Sequence, residues 1–131
     1  MTPHPGEAAR LLDCDTAAIQ ADRFNTALKL QRRYGGVIVL KGSGTVIVDQ
    51  NGDVSVCSAG NPGMASGGMG DVLTGIIAGL VAQGFGLEDA ARVGVCLHAT
   101  AGDEAAREGE RGLMAGDLMP VIRRLVNPAS L

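Results

Sequence analysis

Val37-Ile38-Val39-Leu40 is the segment that most restricts the fold. It lies between the breakers Gly35-Gly36 and Lys41-Gly42-Ser43-Gly44. The run is too short for an ordinary helix and shows no polar alternation, so it predicts a central strand buried on both faces. Such a strand needs a covering layer on each side, which points to an α/β architecture. Thr45-Val46-Ile47-Val48 and Val54-Ser55-Val56-Cys57 read as two further strands, joined as a hairpin around Asn51-Gly52.

Helices are predicted on either side of these strands. The opening Thr2-Pro3-His4-Pro5-Gly6-Glu7 is a rigid turn whose prolines fix φ, leading into a short helix near 8–12. Asp15-Thr16 then caps one longer helix over 17–33, which Gly35-Gly36 ends. After the strands the chain predicts helices over 71–83, 87–107 and 117–126, the last with Pro120 near its start. The coarse order is α-β-β-β-α-α-α.

Composition excludes several classes of function. At 131 residues the chain makes one domain at most. Its formal net charge is −3 with no basic run, which argues against a nucleic-acid surface. The longest apolar stretch, 72–82, is interrupted by Thr74, Gly75 and Gly79 and is too short to cross a bilayer. No apolar run follows the first residues, so no signal peptide is expected and the predicted location is cytoplasmic. Phe24, Tyr34 and Phe85 are the only aromatic residues, so the core is expected to be aliphatic. Cys14, Cys57 and Cys96 have neither disulfide nor metal spacing and are expected to be isolated and buried.

The chemistry concentrates in Gly67-Gly68-Met69-Gly70-Asp71. This stretch ends the turn-rich Asn61-Pro62-Gly63-Met64-Ala65-Ser66 and opens an apolar helix. Glycines let backbone N–H groups close on an oxyanion, and a helix N-terminus adds unpaired donors and partial positive charge. That combination suits a phosphoryl group. A carboxylate at Asp71 would repel phosphate, so it makes sense as a base that takes a proton from an attacking hydroxyl. Lys41, between a buried strand and two glycines, reads as a point charge on a second wall of a nucleotide site. Two commoner motifs fail: Leu40 precedes Lys41, which excludes a P-loop, and Leu73 stands where a dinucleotide fingerprint needs a small residue. His98, in mid-helix, is read as structural, and Asp103-Glu104 as a solvated helix end.

Three segments together resemble the ATP/ADP-dependent NAD(P)H-hydrate dehydratases of the ribokinase-like superfamily. They are Thr2-Pro3-His4-Pro5-Gly6-Glu7, Leu40-Lys41-Gly42-Ser43-Gly44-Thr45, and the long run from Gly60 through Asn61 and Asp71 to Gly75. The resemblance implies the C-terminal half of a ribokinase-like αβα fold, with about three strands and flanking helices. It implies repair of hydrated NADH or NADPH by phosphorylation of the ring hydroxyl and elimination of phosphate. It makes Lys41, Gly42, Ser43, Gly44 and Thr45, with Asn61, Pro62, Gly63, Met64, Ala65, Ser66, Gly67, Gly68, Met69 and Gly70, the adenine-nucleotide site. Within it, Gly67 to Gly70 form the anion hole. Asp71 becomes the catalytic base, and His4 and Asp71 contact the hydrated dinucleotide. Magnesium is expected to accompany ATP or ADP, held through phosphate and water rather than by protein ligands.

A complete domain of this family is about twice as long as the chain. The resemblance therefore predicts a partial domain over 1–131 without its N-terminal half: a truncated gene product, a split gene or a cut fragment. An unpaired sheet edge and an exposed apolar face are expected, with a homo-oligomer or a separate chain supplying the remainder. The alternatives are a ribokinase-like kinase acting on a vitamin-precursor hydroxyl, or an inactive nucleotide-binding fragment.

Overall fold

The computed structural model describes residues 1–127. Strands β1 (Ile38–Leu40), β2 (Thr45–Val48) and β3 (Val54–Cys57) form one antiparallel sheet in that order. Ile38 stands opposite Val48 in the first pair, and Thr45 opposite Cys57 in the second. The hairpin turn forms where Asn51-Gly52 predicts it, with Gly52 at φ 87° and the Asp49 carboxylate accepting the N–H groups of Asn51 and Asp53.

The other side of β1 is occupied as well. The Met1 ammonium donates to the Val37 carbonyl at 2.7 Å, the Val39 N–H to Met1 at 2.9 Å and the Lys41 N–H to Pro3 at 2.9 Å. This is the slanted pattern of a parallel pair, so β1 is flanked on both sides, as its apolar run predicts. β3 lies outermost, with Val54 and Val56 partly exposed.

Strand alternation divides the core into two layers. Ile38, Leu40, Val46 and Val48 pack on Ala8, Ala9, Ile19, Ala27 and Leu30 from α1 (Pro5–Leu12), α2 (Thr16–Ala21) and α3 (Arg23–Tyr34). On the opposite face, Val39, Ile47 and Cys57 pack on Leu73 of α4 (Met69–Ala82) and on Ala91, Val95 and Ala99 of α5 (Leu87–Ala105). A third cluster joins Met69 and Ala101 to Leu113 and Leu118, the last opening α6 (Leu118–Leu125). The architecture is therefore αβα. The core is aliphatic, and all three aromatic residues are exposed.

Three expectations need correction. The helix expected over 17–33 is two helices. Asp22, at φ −149° and ψ 80°, ends α2, and its carboxylate accepts the Asn25 N–H at 3.0 Å to start α3. A short acidic side chain competes for backbone N–H groups and so favours a cap over a helix interior. The cysteines are not all buried: only Cys57 is, while Cys14 and Cys96 are exposed. Cys14 falls in the turn after α1, and Cys96 follows the core residue Val95 on α5, turned to another face. Nor are they all isolated, for Cys96 meets Cys57; burial first, and Cys57 beside it second, raise the Cys96 thiol above its ordinary pKa. Thirdly, α4 starts two residues before Asp71, which places Met69 and Gly70 in its first turn. Among the described residues, no helix is long and apolar enough to cross a membrane.

Candidate functional site

Lys41 joins the two glycine-rich segments. It opens the loop between β1 and β2 formed by Lys41, Gly42, Ser43 and Gly44, with Thr45 as the first residue of β2. Thr45 Oγ1 donates back across this loop to the Gly42 carbonyl at 3.2 Å. The Lys41 ammonium lies so close to Gly70 that a Cβ there would be 2.7 Å from Nζ. Any larger residue at position 70 would push the cation off the helix start.

The second segment leaves β3, makes a 3-10 turn at Pro62–Met64 and enters α4 through Gly67 and Gly68. Gly68 caps α4 at φ 85°, a conformation that suits glycine. The first helical bond runs from the Val72 N–H to the Gly68 carbonyl at 3.0 Å. The N–H groups of Met69, Gly70 and Asp71 therefore have no acceptor inside the helix. The Met69 side chain is buried in the third cluster, so only its backbone is available to a ligand. The Asp71 side chain is exposed, and no hydrogen bond or ion pair involves it among the described residues. Local contacts fix the rest of the segment: Ser66 Oγ donates to the Leu113 carbonyl at 3.0 Å, and Thr74 Oγ1 to the Gly70 carbonyl at 3.0 Å.

His4 has a structural task. Its Nδ1 accepts the N–H groups of Gly6 at 3.0 Å and Glu7 at 3.3 Å, and Glu7 accepts the His4 N–H at 2.7 Å, closing a capping box on α1. With Nδ1 accepting, the neutral ring carries its proton on Nε2. The same Glu7 lies 3.8 Å from Lys41 Nζ. The His4 N–H holds the Glu7 carboxyl below the usual carboxylate range; burial opposes this, and the Lys41 charge helps. His4, Glu7, Lys41 and Gly70 thus form one chain of contacts from α1 to α4. His4→Ala is expected to lower stability by about 1 kcal/mol through loss of the cap, and His4→Asn to restore most of it, measured as urea midpoints.

Three residues given no site role by the sequence also bear on these loops. Asp103 is not part of a solvated helix end. From α5 it accepts the Gly60 N–H and the Asn61 Nδ2 donor, each at 2.9 Å, and fastens the start of the second segment. Arg23 reaches the first loop from α3, its guanidinium donating to the Leu40, Lys41 and Ser43 carbonyls. His98 on α5 is half-buried, and its Nε2 has no partner among the described residues. Burial pushes its imidazole below the ordinary pKa, the Met69 backbone pulls it partly back, and Lys41 lowers it further. The neutral ring belongs behind the glycine turn rather than in a solvated position.

Comparison with known proteins bears on the family of the chain and on its fold. The sequence profile of a family described as NAD(P)H-hydrate dehydratase matches residues 1–124. A bifunctional NAD(P)H-hydrate repair enzyme of Vibrio cholerae is 57% identical over 128 residues, covering 97% of this chain and 26% of that protein. The ADP-dependent (S)-NAD(P)H-hydrate dehydratase of Neisseria meningitidis is 42% identical over 129 residues, covering 97% and 44%. Among solved structures, the ADP/ATP-dependent NAD(P)H-hydrate dehydratase of Bacillus subtilis, co-crystallised with ATP and Mg2+, superimposes with a TM-score of 0.89 at 34% identity. That match covers 95% of this chain and 45% of the other. The chain spans about a quarter of the length of the bifunctional relative.

Proposed function

The chain belongs to the NAD(P)H-hydrate dehydratase family, and from that premise we propose that it serves the nucleotide-dependent dehydration of hydrated NADH or NADPH. The observation that carries this reading is the Lys41 ammonium seated on the glycine turn beside an exposed Asp71.

In this reading ATP or ADP lies between Lys41–Thr45 and Asn61–Gly70. Lys41 acts as a point charge on the phosphates. The N–H groups of Gly67, Gly68, Met69 and Gly70 stabilise charge on the transferring group, each such donor contributing roughly 10²–10³-fold. Asp71 takes the proton of the substrate's ring hydroxyl as that oxygen attacks the terminal phosphorus. Elimination of the resulting phosphate ester restores the reduced nicotinamide. His4 contacts the hydrated dinucleotide through Nε2, since Nδ1 is committed to the cap.

No three His, Cys, Asp or Glu side chains gather into a metal cage among the described residues. A magnesium ion brought in with the nucleotide would be held by its phosphates and by water. Bound there, it would neutralise phosphate charge.

Incubation with ATP or ADP, magnesium and hydrated NADH is expected to restore NADH absorbance and release phosphate in equal amount. A phosphorylated dinucleotide that accumulates without phosphate release would assign a kinase instead. Calorimetry showing no saturable binding of either nucleotide would overturn the reading altogether.

A further inference from the structure

Arg23 is the first residue of α3, where a helix dipole disfavours a cation. Its guanidinium does not face a carboxylate, and no ion pair involves it among the described residues. Nη2 donates to the carbonyls of Leu40 at 3.1 Å and Lys41 at 3.3 Å, and Nη1 donates to that of Ser43. The planar fork lies directly on Gly42: a Cβ there would be 2.8 Å from Nη2 and 3.0 Å from Cζ. Gly42 also has φ +149°.

Peptide geometry turns these contacts into a statement about the opposite face of the loop. A trans peptide points its N–H away from its C=O. The Lys41 carbonyl shares a peptide with the Gly42 N–H, and the Ser43 carbonyl with the Gly44 N–H. With both carbonyls turned onto Arg23, both N–H groups point away from it. The remaining Gly42 carbonyl is taken by Thr45 Oγ1. Among the described residues no hydrogen bond is donated by the N–H of Gly42, Ser43 or Gly44. Carbonyls gathered on one side and unused donors on the other make an anion-binding concavity.

We propose that Arg23 is the positioning residue of the Lys41–Thr45 loop, holding its carbonyls so that the Gly42 and Gly44 N–H groups face a nucleotide phosphate. This rests on the nucleotide reading of the site for the identity of the anion, and on the structure alone for the orientation of the loop. Arg23 touches no reacting atom. It acts through the loop, and its uncompensated charge adds to that of Lys41 beneath the bound anion. Lysine could supply the charge but not the planar fork, so Arg23→Lys is not a conservative change here.

The test compares wild type with Arg23→Met, Arg23→Lys and Gly42→Ala. Gly42→Ala keeps the arginine but takes its seat. ATP affinity is measured by calorimetry, loop order in the ligand-free protein by 15N relaxation of residues 41–45, and folding by the melting midpoint. Arg23→Met is expected to weaken ATP about 10–100-fold and to loosen residues 42–44, with the β2 and β3 amides unchanged. Arg23→Lys should recover only part of the affinity, and Gly42→Ala should resemble Arg23→Met. The proposal is overturned if the loop amides of all three variants relax like wild type, or if a shifted melting midpoint comes with unchanged ATP affinity. Wild type that binds no ATP would sink the nucleotide reading, while the relaxation data would still decide whether Arg23 orders the loop.

Discussion

Asp71→Asn is expected to lower nucleotide-dependent recovery of NADH by about 10²–10⁴-fold, the usual contribution of a positioned base. The change should leave the fold nearly intact. Asp71 is exposed and makes no hydrogen bond or ion pair among the described residues, so its folding role is confined to the dipole of α4. A carboxylate in the first turn contributes roughly 0.3–1 kcal/mol there, a small part of a domain's stability. Asparagine has nearly the same shape and removes only the charge and the basicity. ATP affinity should hold or improve slightly, because a negative charge beside the phosphates is gone. The paired measurement is turnover against ATP affinity from calorimetry. Turnover within about threefold of wild type, far short of what removing such a base should cost, would exclude Asp71 as the base.

Leu40→Ala is expected to destabilise the fold by about 2–5 kcal/mol. Leu40 is 0% exposed and packs with Ala8, Ala9, Leu30 and Val46 between the sheet and the α1–α3 layer. β1 is held by β2 on one side and by Met1–Pro3 on the other, so its backbone cannot shift readily to fill the cavity. That places the cost toward the upper part of the range. Urea denaturation should show a lower midpoint with little change in slope. Val56→Ala, on the partly exposed strand β3, is the control and should stay within about 0.5 kcal/mol of wild type.

The strands were legible because each is a short Val-rich or Ile-rich run between breakers, and the β2–β3 hairpin follows from Asn51-Gly52. The antiparallel pairing of β1 with β2 had no such turn signature. The glycine segment was legible for the same reason: its donors, its helix start and Asp71 lie within a few residues of one another. What stayed hidden depends on partners distant in sequence. Nothing near Asp103 shows that its carboxylate lies against Gly60 and Asn61, some forty residues earlier. His98 looks like any helical histidine until α5 is laid behind the glycine turn. Arg23 did leave a signal. Asp22 has the residue type of an N-cap, and reading it so would have set an arginine at a helix start, where a cation is out of place. Reading one helix from the Asp15-Thr16 cap to the Gly35-Gly36 stop passed over that boundary.

The two hydrogen bonds that Asp103 accepts from Gly60 and Asn61 affect how this molecule opens. A segment so rich in glycine would ordinarily fray by itself and exchange its amides early. Bolted at its root to the last turn of the longest helix, it loses part of that independence: releasing Gly60 and Asn61 means pulling on the C-terminal turn of α5, next to Ala101 of the third cluster. Proteases and deuterium should therefore find the root of the turn more slowly than they find an untethered surface loop.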